Sequence, residues 1–88
     1  MKITFRKKFL FELAKLPAEN RKQVEKFVFE EFPSNPSLKY WQNFQTLKQN
    51  HSIYKIPFDA YRIVLNIEEE TFVFERIRHR NAIYRLNT

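Results

Sequence analysis

The sequence predicts a small α+β domain, in which one strand and a hairpin of two helices precede an antiparallel sheet. Two observations carry this prediction. Apolar residues follow helical spacing between Phe9 and Phe32, and β-branched and aromatic residues dominate the stretch from Tyr54 to Arg85. The chain has 88 residues, which is the length of one small domain, so we expect residues 1–88 to form a single domain.

The N-terminal part of the chain shows strand spacing first and helical spacing next. Lys2 to Phe5 is predicted as a short strand, because its apolar side chains would share one face. A first amphipathic helix of about three turns is predicted by apolar residues that recur every three or four positions. These residues are Phe9, Leu10, Leu13 and Leu16.

A second helix is predicted from a further apolar stripe, which consists of Val24, Phe27, Val28 and Phe32. Pro17 interrupts the first helix and can occupy the first turn of the second, where a missing N–H is tolerated. The stretch from Pro33 to Ser37 predicts the end of this helix. Two helices so closely connected form an antiparallel hairpin. Periodicity then fades from Leu38 to Asn50, which predicts an irregular connection.

The C-terminal third is predicted as a meander of three strands followed by a short helix or turn at Asn81 to Arg85. The strands are Ile53 to Phe58, Tyr61 to Ile67, and Thr71 to Arg80. Pro57 lacks the N–H that a central strand needs, so it predicts a strand end, an edge or a bulge. One sheet face is expected to pack on the helices and the other to meet water or a partner.

Arginines occur at alternating positions in this sheet. In a regular strand, Arg76 and Arg78 share a face with the phenylalanines of the same strand. If Glu68 to Glu70 form a three-residue loop, Arg62 lies opposite Arg76 and diagonal to Arg78, although a shift of one residue would change this. Like charges at such positions oppose folding unless an anion binds between them, so the pattern predicts an anion-binding cluster.

The charge of the chain favours an anionic partner. Sixteen Lys and Arg residues against ten Asp and Glu residues give a net charge of +6 and a pI near 9.8, which suits nucleic acid or an acidic protein segment. Eight of the ten basic residues before His51 are lysines, whereas five of the six after it are arginines. Because arginine binds phosphate or carboxylate through two bonds at once, the C-terminal third is the predicted binding surface.

Several kinds of site are excluded by residues that the sequence lacks. Without Cys there is no thiol nucleophile or Cys-based zinc site, and without Gly there is no glycine-rich phosphate loop. His51 and His79 are too few and too far apart in sequence for a metal site, so no metal or small-molecule cofactor is expected. No apolar run approaches 18 residues, so we expect no membrane span, no signal peptide and a cytoplasmic protein.

Short motifs along the second half of the chain resemble those of a known family. They are Tyr54-Lys55-Ile56, Tyr61-Arg62-Ile63-Val64, and Arg78-His79-Arg80 followed by Ile83-Tyr84-Arg85. With the order of elements over nearly the whole chain, they resemble the RelE/ParE toxins of bacterial type II toxin–antitoxin systems. The ending is most similar to the RelE branch, whose members are ribosome-dependent endoribonucleases.

The resemblance implies a fold, an activity and partners. The fold would be the RelE-like, microbial-RNase-type fold. The activity would be that of an mRNA interferase, which cleaves mRNA in the decoding site by attack of the ribose 2′-hydroxyl and so inhibits translation. The partners would be a cognate antitoxin, the ribosome and mRNA.

The resemblance also implies roles for individual residues. Lys55 falls on a family lysine that acts in proton transfer or phosphate contact, and Arg62 and Arg78 fall on arginines at the scissile phosphate. Tyr84 matches a tyrosine that stacks on or orients the substrate nucleotide. Further candidates for RNA or partner contacts are Arg76, His79, Arg80 and Arg85.

Several alternatives remain open at this point. The general base is Lys55 or His79: a lysine needs neighbouring positive charges before it can accept a proton, whereas a histidine does not need that help, and His79 could instead be a capping side chain. Pro57 stands where some family members have a second lysine, and Asp59-Ala60 replaces a glycine often found in that turn. Two other functions are a ParE-like protein that binds DNA gyrase and a non-catalytic member that only binds its antitoxin.

Overall fold

A computed structural model describes residues 2–35, 45–46 and 53–83. The helices are Lys7–Ala14 (α1), Ala18–Lys26 (α2), Phe32–Ser34 (α3) and Arg80–Ile83 (α4), with a π-helical turn, Phe27–Glu31, between α2 and α3. The strands are Lys2–Phe5 (β1), Gln45–Thr46 (β2), Ile53–Phe58 (β3), Tyr61–Glu68 (β4) and Thr71–His79 (β5). The predicted α+β class and the order of its elements are confirmed.

The strands form one sheet in the order β1-β5-β4-β3-β2. The meander of β3, β4 and β5 is antiparallel, as predicted, and β2 adds to it antiparallel. The N-terminal strand β1 pairs parallel to β5, so the sheet as a whole is mixed. Because β1 is short, it pairs with β5 only from Thr71 to Phe74. Helix α1 also packs against β5.

The core lies between the helices and one face of the sheet, which we call the helix face. It consists of Phe9, Leu13, Val24, Phe27, Val28, Phe32, Ile56, Ile63, Leu65, Phe72, Phe74 and Ile77. Phe74 lies at its centre, with its ring 5.3 Å from Phe5, 5.5 Å from Phe9 and 5.5 Å from Phe32. Burying one such side chain contributes about 1.5 to 3 kcal/mol, so this phenylalanine cluster supplies much of the stability of a small domain.

The first helix differs from its prediction. It has eight residues, about two turns rather than three, because the backbone N–H of Lys15 bonds to Glu12 O and that of Leu16 to Leu13 O, in the tighter pattern of a helix end. Leu10 is 43% exposed and does not join the core, whereas Phe9 and Leu13 are buried as predicted.

The second helix is longer than α2 alone, since the π-helical turn and α3 continue it to Ser34. The π-helical turn advances the chain by five residues per hydrogen bond, so that Phe27 and Phe32 lie one above the other with ring centroids 5.7 Å apart. All four residues of the predicted stripe are buried. The helix ends one residue after Pro33, within the predicted breaker.

Strand β5 contains a β-bulge at Glu75, which the sequence did not predict. Leu65 pairs with Phe74 and Val64 pairs with Arg76, so Glu75 has no counterpart on β4. One extra residue in a strand shifts the alternation, so that every side chain after the bulge lies on the opposite face from the one that a regular strand would give it. Phe74 and Ile77 therefore both lie in the core, and the predicted common face for the arginines and phenylalanines of β5 is wrong.

Two-residue turns join the strands of the meander. They are Asp59-Ala60 between β3 and β4 and Glu69-Glu70 between β4 and β5, so the predicted three-residue loop is also wrong. Asp59 and Glu69 have positive φ angles of 57° and 47°. Positive φ costs a non-glycine residue energy, and Asp tolerates this region better than Glu.

Glu69→Gly is expected to raise the free energy of unfolding by about 0.5 to 1 kcal/mol, because glycine adopts this backbone conformation without a steric penalty. Chemical denaturation followed by circular dichroism would measure the change. Glu70→Gly, at a neighbouring turn position without positive φ, is the matched control and should destabilise slightly. Equal effects at the two positions would contradict the prediction.

Candidate functional site

The sheet face opposite the helices, which we call the arginine face, carries four of the basic residues singled out in the sequence. They form two rows across β3, β4 and β5. In one row Lys55 pairs with Val64, which pairs with Arg76. The next row is Pro57, Arg62 and Arg78.

Arg62 and Arg78 are directly opposite each other. The predicted partner of Arg62 was Arg76, and that register is wrong because the turn has two residues and Glu75 bulges. Residues opposite each other in an antiparallel pair have Cα atoms about 4.5 to 5.5 Å apart. Two arginines in such positions repel each other and destabilise the pair of strands, so the arrangement favours an anion that contacts both.

The side chain of Arg62 is held by the turn that precedes it. Its Nη1 donates hydrogen bonds to the carbonyl oxygens of Asp59, at 2.9 Å, and Tyr61, at 2.7 Å. Both bonds use the same nitrogen, so they leave the fork formed by Nε and Nη2 for another acceptor. The positive φ of Asp59 thus helps to define where this guanidinium sits.

Arg76 is bound to Glu12, which α1 places at the uncovered edge of β5. Arg76 Nε donates to Glu12 Oε1 at 3.0 Å and Nη2 donates to Oε2 at 2.7 Å, which is a bidentate ion pair. Hydrogen bonding to Glu12 raises the pKa of Arg76, and the charge of Glu12 adds to this, while burial opposes it. The charge of Arg76 is therefore already balanced within the protein.

Glu12 has further partners on β5. Its Oε1 accepts a hydrogen bond from the backbone N–H of Ile77 at 3.0 Å, and its Oε2 lies 3.5 Å from Nε of Arg78. The side chain of Arg78 remains 35% exposed, against 25% for Arg76. The Glu12 carboxylate thus positions two arginine side chains and accepts a hydrogen bond from a backbone N–H at the edge of β5. Glu12 was not among the residues predicted from the sequence, and its one signal is that it is the only acidic residue in α1.

Lys55 lies half-buried on β3 in the same row as Arg76. With strands about 4.8 Å apart, its Cα is about 10 Å from that of Arg76. A lysine side chain spans much of this distance, so its ammonium group can approach a phosphate bound near the arginines. Pro57, two residues later, is the penultimate residue of β3, and the two described residues of β2 pair with Tyr54 and Lys55. This placement confirms the predicted strand end.

His79 belongs to the other side of the sheet. It pairs with Tyr61, the two rings are 5.7 Å apart at 81°, and Tyr61 packs against the core. Its Nδ1 accepts a hydrogen bond from the backbone N–H of Asn81 at 3.1 Å, which caps the start of α4. Arg80 is exposed at that start, where its backbone N–H bonds to Ala60 O at 2.8 Å. The structure does not bring His79 together with the arginines.

Two candidate residues, Tyr84 and Arg85, lie outside the described residues. Among the residues that the structure does describe, no group of His, Asp and Glu side chains is arranged to hold a metal ion. None of the described helices is long and apolar enough to cross a membrane.

The other end of the arginine face is acidic. Asn66 donates hydrogen bonds to Glu68 at 2.8 Å and to Glu75 at 3.4 Å, and Glu75 also pairs with Arg6 at 3.2 Å. The bulge thus turns Glu75 towards the side of the sheet that carries Asn66. This separation of charge confines the basic region to the end near the β3–β4 turn and the end of β5.

Comparison with known proteins identifies the family of the chain. No family model matches it. Toxin RelE3 of Methanocaldococcus jannaschii is 33% identical over 85 residues, which span 96% of this chain and 96% of that protein. The chain belongs to the RelE toxin family. The predicted resemblance to the RelE/ParE toxins is thereby confirmed.

Solved structures of RelE proteins share this fold. The toxin of the RelB-RelE antitoxin-toxin complex from Methanococcus jannaschii matches with a TM-score of 0.81 and 29% identity, over 97% of this chain and 99% of that one. The intact RelBE toxin-antitoxin complex of E. coli matches with a TM-score of 0.65 and 22% identity, over 89% of this chain and 94% of that one, which shows the fold alone. The predicted RelE-like fold is confirmed.

Proposed function

We propose that this RelE protein is the toxin of a type II toxin–antitoxin system and acts as a ribosome-dependent endoribonuclease. The observation that supports this most strongly is the pairing of Arg62 with Arg78 on one sheet face, with Lys55 on the same face. Repulsion between the two arginines destabilises the sheet, and an anion bound between them would offset that repulsion. The scissile phosphate of an mRNA is an anion that two adjacent guanidinium groups fit.

The proposed reaction is an attack of the ribose 2′-hydroxyl on the adjacent phosphorus. A base removes the hydroxyl proton, the 2′-oxygen bonds to phosphorus, and the bond to the 5′-oxygen breaks as a proton donor protonates that oxygen; the products are a 2′,3′-cyclic phosphate and a 5′-hydroxyl. Arg62 and Arg78 would stabilise the charge that accumulates on the phosphorane oxygens. Tyr84 would orient the nucleotide, as the family resemblance implies.

Lys55 is the better candidate for the base, because it shares a face with the two arginines. His79 faces the core side and already uses Nδ1 as a helix cap. We assign it a structural role.

His79→Ala is expected to keep ribosome-dependent cleavage within about threefold of the wild-type rate, since a lost general base would cost about 10² or more. The same change should lower the free energy of unfolding by about 0.5 to 1 kcal/mol, because the N–H of Asn81 loses its acceptor. His79→Asn, which retains a capping oxygen, is the control and should recover most of that stability. A hundredfold slower His79→Ala would instead assign the proton transfer to His79.

The proposed protein partner is a cognate antitoxin, as in the RelB-RelE complex of the Methanococcus jannaschii relative. The net charge of +6 and the arginine face suit an acidic and apolar segment, added as a helix or a strand. Binding of either the antitoxin or the ribosome should weaken as salt rises, because both depend on charge.

A translating extract tests the proposal. The free protein is added, and the 5′ ends of mRNA are mapped with and without ribosomes. Cuts at discrete codon positions that require ribosomes are the expected result. Intact mRNA with normal translation would overturn the proposal, and DNA damage signalling in cells would then favour a ParE-like action on gyrase.

One observation favours a second candidate, a RelE protein that only binds its antitoxin. Pro57 occupies the row of Arg62 and Arg78, at the position where some family members have a lysine, so this row has two basic residues. The absence of any growth effect when the chain is expressed without an antitoxin would support this candidate.

A further inference from the structure

A groove next to the arginine face lies between α1 and β5. It has a volume of about 360 Å³ and is lined by Lys7, Lys8, Phe11, Glu12 and Arg76. Arg76 belongs both to this groove and to the row that contains Lys55. The groove is therefore continuous with the surface proposed to bind the scissile phosphate.

Phe11 is exposed in this groove although most phenylalanines of the chain's helices are buried. Its exposed fraction is 63%, the largest among the big apolar side chains of the described residues, and it is absent from the core. Nζ of Lys15 lies 4.2 Å from the centroid of its ring. A cation over one face of the ring leaves the opposite face for a second planar group.

The charges around Phe11 are those that a nucleic acid backbone needs. Lys7 and Lys8 are exposed on the same helix, one turn before Phe11, and Lys15 is one turn after it. Glu12 is the one carboxylate among the described residues that line the groove, and it is balanced by Arg76 and Arg78. The net field of the groove is therefore positive.

We propose that this groove binds a nucleotide of single-stranded RNA beyond the scissile site, with its base stacked on Phe11 and its phosphate held by Lys7 and Lys8. This inference rests on the proposed function, because the RNA would continue from the arginine face past Arg76. An aromatic ring among lysines is the usual platform for single-stranded nucleic acid, since every base has a face that can stack. A purely acidic peptide would contact the lysines but not the ring, whereas a nucleotide contacts both through its phosphate and its base.

Binding of a fluorescent 2′-O-methyl RNA ten-mer to the full chain tests this inference. Such RNA lacks the attacking hydroxyl, so binding is measured by anisotropy without cleavage. We expect Phe11→Ala to raise the Kd about tenfold, as the loss of one stacked base does, and Phe11→Tyr to stay within about twofold. Leu10→Ala removes a neighbouring exposed apolar side chain that does not line the groove, and should leave the Kd unchanged. Circular dichroism checks that each variant is folded.

An unchanged Kd in Phe11→Ala would overturn the inference. The inference would also be overturned if Phe11→Ala lost binding to an acidic peptide, such as hexaglutamate, but kept its binding to RNA. The groove would then belong to a protein partner. These results are distinct from failure of the proposed function, which is judged by cleavage in the translating extract with the wild-type chain.

Discussion

Replacing Arg78 with alanine is expected to slow ribosome-dependent mRNA cleavage by about 10²- to 10³-fold, which is the usual cost of removing one group that stabilises charge in a transition state. Arg78 is the more exposed of the two arginines that contact Glu12, and it lies opposite Arg62. Single-turnover cleavage of mRNA on purified ribosomes would measure the rate. The loss should appear in the rate constant rather than in ribosome binding.

A change in net charge alone must be separated from the loss of this side chain. Lys22→Ala removes one positive charge from an exposed position on α2 and should leave the rate unchanged. Arg78→Lys keeps the charge but loses the bidentate geometry, so an intermediate rate is expected. An Arg62→Ala and Arg78→Ala double variant should lose little more than either single variant, since both act on one phosphate. A fully toxic double variant would contradict the whole assignment.

The stability of Arg78→Ala should equal or exceed that of the wild type. Removing one of two opposed arginines relieves their repulsion, and its contact with Glu12 is the longer of that residue's ion pairs. Activity would then fall while the free energy of unfolding does not. Such opposite effects are expected where a protein keeps a strained arrangement for its function.

The elements of the fold could be predicted from the sequence where hydrophobic periodicity is strong. The stripe from Val24 to Phe32 is buried throughout, and the two longer runs of β-branched and aromatic residues are β4 and β5. Leu10 is an exception, because it has the spacing of the buried residues but remains 43% exposed in the short helix α1. Tertiary packing, rather than spacing, decides which side chains of a short helix are buried.

The site was predicted by residue type better than by geometry. Lys55, Arg62 and Arg78 do share a face, but the pairing of Arg62 with Arg78 depends on the bulge at Glu75 and on a two-residue turn. Neither feature has a clear signal, since the turns contain no glycine. Glu12 could not be linked to β5 from sequence, because more than sixty residues separate it from its partners.

Glu12→Ala is expected to lower the free energy of unfolding by about 2 kcal/mol. The change leaves the guanidinium of Arg76 without its bidentate partner and the backbone N–H of Ile77 without its acceptor. Leaving a desolvated donor without its partner costs about 1 to 3 kcal/mol. The side chains of Glu12 and Arg76 are 20% and 25% exposed, so water partly screens their interaction and we expect a value in the middle of this range. Urea denaturation at constant pH and salt would measure the difference.

Three further variants separate the contributions of Glu12. Glu12→Gln keeps an acceptor for the N–H of Ile77 but loses the charge, so about half of the destabilisation should remain. Glu31→Ala removes an exposed glutamate from the second helix and should stay within about 0.5 kcal/mol of the wild type. In a double-mutant cycle with Arg76→Met, Glu12→Ala should cost about 1 kcal/mol less than in the wild-type background. Equal costs in both backgrounds would mean that Glu12 acts through the edge of β5 alone, and that Arg76 and Arg78 are ordered by something else.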